Sequence, residues 1–278
     1  MQMVDIDITA FAANHIEAAL RLSREAGWPH REEDWQVACQ LSEGVVAVDD
    51  TGKVVGTALM TPFGSDCATI NMVIVDAAMR GRGLGRRLMD EAMAYAAGRP
   101  LRLVATTDGL PLYEKLGFRE TGTILQHQGV VAGATPPAIT RAATAGDLEA
   151  IAALDREAFG ADRTILMRKL FEIGAFAVTG RHDITGFACL RPFGRGEVIG
   201  PVVAHSLEDA KTLISHFLAQ RIGSFVRVDT IAATGLAPWL QEQGLAHVGG
   251  GIAMARPAPL SSAASAATTF ALANQALG

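Results

Sequence analysis

The feature that most restricts the fold of this 278-residue chain is an internal repeat. Gly-Val-Val-Ala-Val at residues 44–48, Gly56 and Pro-Phe-Gly at 62–64 correspond to Gly-Ala-Phe-Ala-Val at 174–178, Gly186 and Pro-Phe-Gly at 192–194. The spacing is 130 positions throughout, without a gap. Repetition at a fixed spacing indicates a structural unit that is present twice. Each copy is typical of a hairpin of two apolar strands that ends at a Pro-Phe-Gly turn.

The flanks of the two hairpins also follow one order. Residues 14–17 and 144–147 each begin with a capping residue, Asn or Thr, and end with an acid three positions later. This spacing predicts the beginning of a helix. A third strand, 69–75 or 197–203, follows each hairpin and leads into another helix. The predicted order in each copy is therefore β-α-α-β-β-β-α-β-α-β.

This order predicts two domains, residues 1–130 and 138–256, joined where Gly133, Pro136 and Pro137 interrupt the pattern. The tail, 257–278, is rich in Ala and Ser, and its sequence leaves two outcomes open. It is disordered, or it docks as a final helix through Phe270, Leu272 and Leu277.

Composition and charge limit the classes of function. The formal net charge of -5 gives no general attraction to nucleic acid, and no apolar run is long enough to cross a membrane. The N-terminus lacks the pattern of a secretory signal. The three cysteines are far apart and match no metal-ligand spacing. We therefore expect a cytoplasmic protein with reduced thiols, no metal, no membrane partner and no nucleic-acid partner. The Ala and Gly content is typical of a GC-rich bacterial genome.

The most informative stretch is a Val-rich strand, residues 70–75, followed by a loop and a helix. Gly81, Gly83 and Gly85 lie at the junction of loop and helix, where unpaired backbone N–H groups converge. Absent side chains let the backbone approach an anion closely, and a helix N-terminus favours negative charge. Four arginines surround these glycines: Arg80, Arg82, Arg86 and Arg87. The pattern predicts a phosphate site.

Arg80-x-x-Gly83-x-Gly85 after this strand resembles the pyrophosphate loop of the GNAT superfamily of acyltransferases. A second element, Leu-Tyr-Glu-Lys-Leu-Gly-Phe at residues 112–118, resembles the family's Tyr-x-x-x-Gly-Phe motif. The resemblance covers residues 3–128 with both motifs and 138–256 through the repeat alone. It implies an α/β fold of two tandem GNAT-like domains, each a mixed, mostly antiparallel sheet flanked by helices.

The resemblance also implies an N-acetyltransferase with acetyl-CoA as co-substrate. In this family the strand before the loop separates from its neighbour at a bulge, and its backbone pairs with the pantetheine arm. Tyr113 matches the acid that protonates the leaving sulfur; its alternative role is packing. Thr106 stands where many relatives carry Asn. The implied coenzyme-binding residues are Val73, Ile74, Val75, Arg80, Gly81, Arg82, Gly83, Leu84, Gly85, Arg86 and Thr106.

The acceptor side is less defined. Residues 27–35 suit the family's substrate-side loop, where Trp28 and Trp35 would form a wall for an amine and His30 would serve as the base. The alternatives are tryptophans that belong to the core and a water chain as the base. Asn71 is a further candidate for contact with the acceptor. We expect a primary amine of a small molecule, although the sequence identifies neither this amine nor whether the protein is a monomer or a homodimer.

The second copy lacks these motifs. With Val75 opposite Val203, Arg80, Gly83 and Gly85 align with Glu208, Lys211 and Leu213, and Trp239 or Leu240 takes the place of Tyr113. An acid repels a pyrophosphate and side chains block close approach, so this copy is predicted not to bind acetyl-CoA. It remains a candidate wall of the acceptor pocket, with four residues that could reach a substrate: His182, Arg191, Glu197 and His205. The alternative is a domain that only stabilises the first by extending its sheet or core.

Three other functions compete with this interpretation. A dinucleotide enzyme would use Gly83, Gly85 and Asp108, but the third glycine of that fingerprint falls on Leu88. A non-catalytic acyl-CoA sensor on the same scaffold is the second, because fold does not determine function. Acetylation of a protein or peptide is the third.

Overall fold

The computed structural model describes residues 5–137, 139–180, 183–257 and 265–278. His182, one of the candidate substrate contacts, lies outside the described residues, as does part of the predicted tail. The chain divides into two compact units, Met1–Leu103 and Val104–Gly278. Each unit is described by itself below.

The first unit is one sheet with three helices. Its sheet has the strand order β1-β2-β3-β4-β5, antiparallel except for the parallel pair of β4 and β5. Its elements are β1 (Ile6–Ala10), α1 (Ile16–Glu25), α2 (Glu32–Leu41), β2 (Glu43–Asp49), β3 (Val54–Phe63), β4 (Cys67–Val75), α3 (Leu84–Ala94) and β5 (Leu101–Ala105), the strand in which the unit ends. On α3, Leu84, Leu88 and Ala92 recur at helical spacing and are buried, as this spacing predicts.

The second unit adds a larger mixed sheet with the strand order β12-β6-β11-β13-β10-β9-β8-β7. Its elements are α4 (Leu110–Lys115), β6 (Arg119–Val130), β7 (Arg141–Ala142), α5 (Leu148–Phe159), α6 (Thr164–Ile173), β8 (Ala175–Thr179), β9 (Gly186–Phe193), β10 (Gly196–Ala204), α7 (Leu207–Leu218), β11 (Phe225–Ile231), α8 (Ala237–Glu242), β12 (Ala246–Arg256) and β13 (Thr268–Ala271). The predicted order of elements is confirmed in both copies, and so is the mixed, mostly antiparallel sheet flanked by helices.

The glycines that repeat in the sequence are positions of close approach. A Cβ atom added to Gly56 would lie 2.7 Å from the Leu88 side chain of α3 and 3.2 Å from the Ile74 carbonyl oxygen. A Cβ atom added to Gly186 would lie 3.0 Å from the Val203 carbonyl oxygen. Both positions are tighter than ordinary contacts, so a larger residue would force strands or helix apart. Glycine is thus present at this position in both copies because neighbouring atoms leave no room for a side chain.

The strand β6 shows that the sequence repeats differ from the compact units. It closes the first repeat in the sequence, yet it lies between β11 and β12 of the second unit. Its register pairs Val130 with Phe225 on one side and Gln128 with Ala246 on the other. The predicted boundary at residue 130 therefore falls at the end of a central strand, whereas the chain passes from one compact unit to the other within β5.

The described part of the tail, residues 265–278, is neither disordered nor helical. It forms β13, a strand between β10 and β11, and Phe270, Leu272 and Leu277 are buried. The sequence expectation that these three residues dock the tail is confirmed, but the expected helix is wrong. A helix cannot supply the backbone pairing that the two flanking strand edges require.

A buried histidine lies in the middle of β6. His127 is 0% exposed, its ring lies 5.4 Å from that of His247, and within the described residues neither of its ring nitrogens has a hydrogen-bond partner. Burial, and secondly the nearby His247, lower the pKa of His127 below its usual value. The folded state therefore holds His127 neutral at a pH where the unfolded chain already binds a proton.

We predict that the free energy of unfolding falls as the pH drops below about 6.5, where an unfolded histidine takes up its proton. One proton contributes at most about 1.4 kcal/mol per pH unit. The His127→Leu variant should lose this part of the acid sensitivity, as measured by urea unfolding at pH 7.5 and pH 5.5. His205→Leu, at an exposed position, is the matched control. An equal loss of stability on acidification in all three proteins would contradict the prediction.

Candidate functional site

The strand β4 bulges and then separates from β5. Its register with β3 shifts between Thr57↔Ile74 and Leu59↔Asn71, so that one extra residue is accommodated in β4. Met72 takes up this irregularity with a φ of 49°, and its carbonyl oxygen accepts a hydrogen bond of 2.7 Å from the Thr57 hydroxyl. The pairing of β4 with β5 consists of two register positions near the start of both strands. The C-terminal half of β4 is therefore left without β5 as a neighbour.

The loop after β4 is held by Asp76. Its carboxylate accepts hydrogen bonds from the Ala78 backbone N–H at 3.0 Å and from the Lys53 ammonium at 2.8 Å. The hydrogen bond from Lys53 is the main reason that the pKa of Asp76 lies below its usual value. Asp76 is 8% exposed and stays ionised at neutral pH. This anchor sets the direction in which the loop leaves the strand.

The N-terminus of α3 is open. Gly83 is its capping residue, with a φ of 79°, and Gly81 before it has a φ of 75°, both in the left-handed region that favours glycine. No side chain caps this helix and its first turn contains no acid. Within residues 5–137 the backbone N–H groups of residues 84–86 have no hydrogen-bond acceptor. The first amides of a helix have no partner inside the helix, so these groups can be served only from outside it.

The arginines around this helix end are exposed, but they are not equivalent. Arg86 forms an ion pair of 3.5 Å with Asp90, and Arg87 donates a hydrogen bond of 3.1 Å to the Ile6 carbonyl oxygen. Arg80 makes one long hydrogen bond, 3.4 Å, to the Val75 carbonyl oxygen. Unpaired amides, two glycines in the left-handed region and exposed guanidinium groups together fit a phosphate or pyrophosphate group.

The corresponding helix of the second unit is closed. Register pairs Gly56 with Val75 and Gly186 with Ala204, so the third strands correspond at a spacing of 129. Eight residues, 76–83, separate β4 from α3, whereas two residues separate β10 from α7. Ser206 caps α7, its hydroxyl oxygen accepting from the Asp209 backbone N–H at 3.1 Å. The Asp209 amide, whose counterpart in α3 is the open amide of Arg86, is thus served from within the chain.

This geometry corrects the predicted alignment of the third strands, because Val75 corresponds to Ala204 and not to Val203. Glu208 lies in the first turn of α7, not in a loop that matches the one containing Arg80. The loop between strand and helix is shorter in the second repeat, so its residues do not correspond one by one to those of the loop that contains Arg80. The structure also decides between Trp239 and Leu240: α4 and α8 both carry Pro in the first turn, and this match places Leu240, fully buried, opposite Tyr113.

Tyr113 lies in the second unit, on α4, and is 8% exposed. Its ring meets Phe118 edge to face at 6.1 Å, and a Cβ atom at Gly109 would approach the ring to 2.8 Å. Burial raises the pKa of Tyr113 to about 12, so the phenol keeps its proton at neutral pH. Thr106 is exposed, and its hydroxyl oxygen accepts from the Gly109 backbone N–H at 3.3 Å, which stabilises the turn before α4.

On the acceptor side, the structure brings His30 and Trp35 together through a residue that sequence reasoning missed. Trp35 is 0% exposed and its Nε1–H donates to the Ser23 hydroxyl oxygen at 3.0 Å. The same hydroxyl lies 3.0 Å from His30 Nδ1. Trp28 is half-buried and meets the His30 ring edge to face at 5.6 Å. The sequence signal for this contact was a serine, Ser23, on the buried face of the amphipathic helix α1, where its hydroxyl needs a polar partner.

The prediction that Trp35 forms a wall for an amine is therefore wrong for this conformation, because a fully buried ring offers no surface. Its position supports the alternative, a tryptophan that belongs to the core. Trp28 and His30 remain candidates for contact with the acceptor.

Asn71 belongs to a buried polar cluster. It is 5% exposed, and its Nδ2 donates to the Thr61 hydroxyl oxygen at 2.8 Å and to the Thr69 carbonyl oxygen at 3.2 Å. In the described part of the chain, Asn71 Oδ1 and Thr69 Oγ1 have no hydrogen-bond partner. Buried polar atoms almost always find one, so these two oxygens are candidates to meet a ligand.

The described residues contain no group of three or more His, Cys, Asp or Glu side chains arranged to hold a metal ion. None of the helices in this part of the chain combines the length and the apolar character needed to cross a bilayer.

Comparisons with known proteins agree with this organisation. A model described as "Acetyltransferase (GNAT) family" matches residues 11–118, and one described as "Acetyltransferase (GNAT) domain" matches residues 151–266. The "Uncharacterized N-acetyltransferase YitH" of Bacillus subtilis (strain 168) is 27% identical over 237 residues, which cover 82% of this chain and 83% of that protein.

Two solved structures have the same fold. A Pyrococcus horikoshii protein, provisionally assigned as an acetyltransferase, has a TM-score of 0.83 at 17% identity, over 100% of this chain and 98% of its own. A tandem GNAT protein from the clavulanic acid biosynthesis pathway has a TM-score of 0.64 at 14% identity, over 93% of this chain and 100% of its own. At these identities the likeness extends to the fold alone.

The contacts of Ser23 lead to a prediction about stability. The Ser23→Ala variant should lower the free energy of unfolding by about 1–3 kcal/mol, because it leaves the buried Trp35 Nε1–H without an acceptor. In a Trp35→Phe background the same substitution should cost less, since the donor is already absent. Urea unfolding of the four proteins measures both effects. Equal costs in the two backgrounds would show that the hydrogen bond does not contribute.

Proposed function

The chain belongs to the GNAT family of N-acetyltransferases, with two GNAT domains in tandem. From this premise we propose that it transfers an acetyl group from acetyl-CoA to the primary amine of a small molecule. The observation that carries the proposal is the open N-terminus of α3. It offers unpaired amides, no acid and exposed arginines in one repeat, whereas the corresponding helix of the other repeat is capped.

The residues of the first unit fit the coenzyme. Amides at the start of α3, with Arg80 and Arg82, would hold the pyrophosphate. The C-terminal half of β4, including the half-buried Val73 and Val75, presents a strand edge to which an extended amide-bearing arm can pair. When bound, acetyl-CoA supplies the activated acetyl group. Backbone N–H groups near the bulge would polarise its carbonyl oxygen and stabilise the negative charge that develops there.

The remaining chemistry is the movement of two protons. A neutral amine attacks the carbonyl carbon and loses a proton, for which His30 is the candidate base on the acceptor side. Tyr113 would assist the leaving sulfur. Because an unperturbed thiol has a pKa of about 8.5, complete proton transfer from a phenol with a pKa of about 12 is uphill. We therefore expect Tyr113 to stabilise the sulfur mainly by donating a hydrogen bond.

Asn71 and Thr69 are candidates for hydrogen bonds with the acceptor. Asn71 Oδ1 can accept a hydrogen bond from an amine N–H, and Thr69 Oγ1 can donate or accept one. Both atoms are buried in this structure, so an acceptor would reach them only after the cluster opens.

We predict one coenzyme A per chain, bound by the first repeat. The Arg80→Glu variant should weaken binding by roughly tenfold to a hundredfold, because it turns attraction to the pyrophosphate into repulsion. Isothermal titration calorimetry measures both stoichiometry and affinity. Arg24→Glu, the same charge reversal at an exposed site on α1, is the matched control and should bind as the parent does. Two coenzymes per chain, or equal affinity in both variants, would contradict this assignment.

A second experiment separates an enzyme from a coenzyme sensor. The Tyr113→Phe variant should retain coenzyme affinity but lose roughly a hundredfold to a thousandfold in turnover, the range lost when one hydrogen-bond donor to a developing negative charge is removed. Thiol release from acetyl-CoA with a panel of small amines measures turnover. Tyr95→Phe, at the other tyrosine of the chain, is the control. A chain that binds coenzyme A and releases no thiol with any amine, before or after substitution, would be a sensor.

A further inference from the structure

The two repeats contain the same opening between two parallel strands. In the first repeat, β4 and β5 pair at Ala68↔Leu101 and Thr69↔Arg102. In the second, β10 and β11 pair at Glu197↔Val226 and Val198↔Arg227. The β4 and β10 residues of these pairs correspond at the spacing of 129 that the hairpin registers define. Both repeats therefore separate two parallel strands at the same point of the fold.

The opening in the second repeat is filled by the chain itself. The strand β13 pairs with β10 through Val202↔Ala271, Val203↔Thr269 and Ala204↔Thr268, and with β11 through Thr230↔Ala271. At a spacing of 129, the three β10 residues correspond to residues 73–75 of β4. These are the residues whose edge we assign to the coenzyme arm. The same strand edge thus faces a peptide in one repeat.

Backbone contacts hold this peptide from both sides. The Leu272 N–H donates to the Asp229 carbonyl oxygen at 2.9 Å, and the Thr230 hydroxyl donates to the Phe270 carbonyl oxygen at 2.7 Å. Gly200 of β10 leaves room for the Leu272 carbonyl oxygen, which a Cβ atom at this position would overlap. These contacts involve the backbone atoms of the segment, as they do when a peptide binds to a sheet by adding a strand.

Side chains fix both ends of the segment. Before β13, the Glu157 carboxylate accepts from the backbone N–H groups of Ala266 and Ala267, each at 3.1 Å. After β13, the Arg191 guanidinium donates to the Ala273 carbonyl oxygen at 3.1 Å, and the buried Arg163 donates to the Gly278 carbonyl oxygen at 2.7 Å. The register of the segment is therefore set by contacts outside the strand as well as within it.

The segment is as buried as a central strand. Each residue from Thr269 to Asn274 is at most 7% exposed, on both faces of the strand. Phe270 and Ala271 belong to the same apolar core as Leu213 and Phe217 of α7. A strand that packs on both faces and pairs on both edges is an integral part of the sheet.

We propose that the gap between β10 and β11 is a binding site for an extended peptide, and that residues 268–273 of the chain are its built-in ligand. The segment takes the place that we assign to the coenzyme arm in the first repeat, and this comparison rests on the proposed function. The assignment of the peptide site itself does not depend on that function. Two changes then exclude coenzyme from the second repeat: the capped N-terminus of α7 and the filled gap. The sheet of the second unit is complete only with its C-terminal strand.

The intact chain provides the first test. Backbone amides of residues 268–273 should exchange with deuterium on the order of a thousandfold more slowly than an unstructured peptide, as do the amides of β10 and β11. Exchange at the rate of an unstructured peptide would overturn the proposal, and this measurement requires no variant.

The second test cuts the chain without removing anything. A protease recognition sequence is placed within residues 258–264, which lie outside the described part, and the purified protein is cleaved. The fragment that follows the cut should remain bound through gel filtration, with an unchanged melting temperature. Separation of the fragment under native conditions, from a remainder that keeps its melting temperature, would overturn the proposal.

A matched pair of substitutions locates the binding energy. In the cleaved chain, Ala271→Asp should release the fragment, because it places a charge at a site that is 0% exposed in the strand. Thr268→Asp introduces the same charge at the exposed first position of the strand and should leave the fragment bound. Retention of both fragments to the same extent would contradict the proposed site. None of these measurements uses coenzyme, so their outcome is independent of the calorimetric test of the proposed function.

Discussion

The structure depends on the separation of two parallel strands after a short stretch of pairing. Once β4 leaves β5, or β10 leaves β11, two strand edges expose backbone N–H and C=O groups that must find partners. A fold with this opening needs a third strand-like group to complete the sheet. The second repeat supplies one from its own chain, as β13. The first repeat has no such segment among the described residues, and this is the edge that we assign to the coenzyme.

Helix termini make the same distinction between the repeats. An α-helix begins with amides that have no partner within the helix, and these must be served by a cap, by water or by a ligand. In α7 the cap is Ser206, which sits two residues after the strand. In α3 the capping residue is Gly83, at the end of a longer loop anchored by Asp76, and it offers no side chain. Strand edge and helix end are therefore both open in one repeat and both closed in the other.

Much of this organisation was predictable from the sequence, because the repeated glycines and the Arg-Gly loop report strict local requirements. Gly56 and Gly186 are close-packed positions, and Gly83 needs a left-handed φ, so each residue indicates its own environment. Trp35 was misread because an aromatic ring beside a histidine suits a core and a binding wall equally well. Only its 0% exposure and its bond to Ser23 decide between them.

The sequence by itself determined the duplicated order of elements, the family and the repeat that carries the loop rich in arginine and glycine, since these follow from periodicity and from residues whose chemistry is local. Tertiary structure alone decided where β6 and the tail belong. Both pair with strands that are distant in the chain, β11 and β12 for the former and β10 and β11 for the latter. Strand pairing is non-local, and a strand's own residues do not specify which edge it will join.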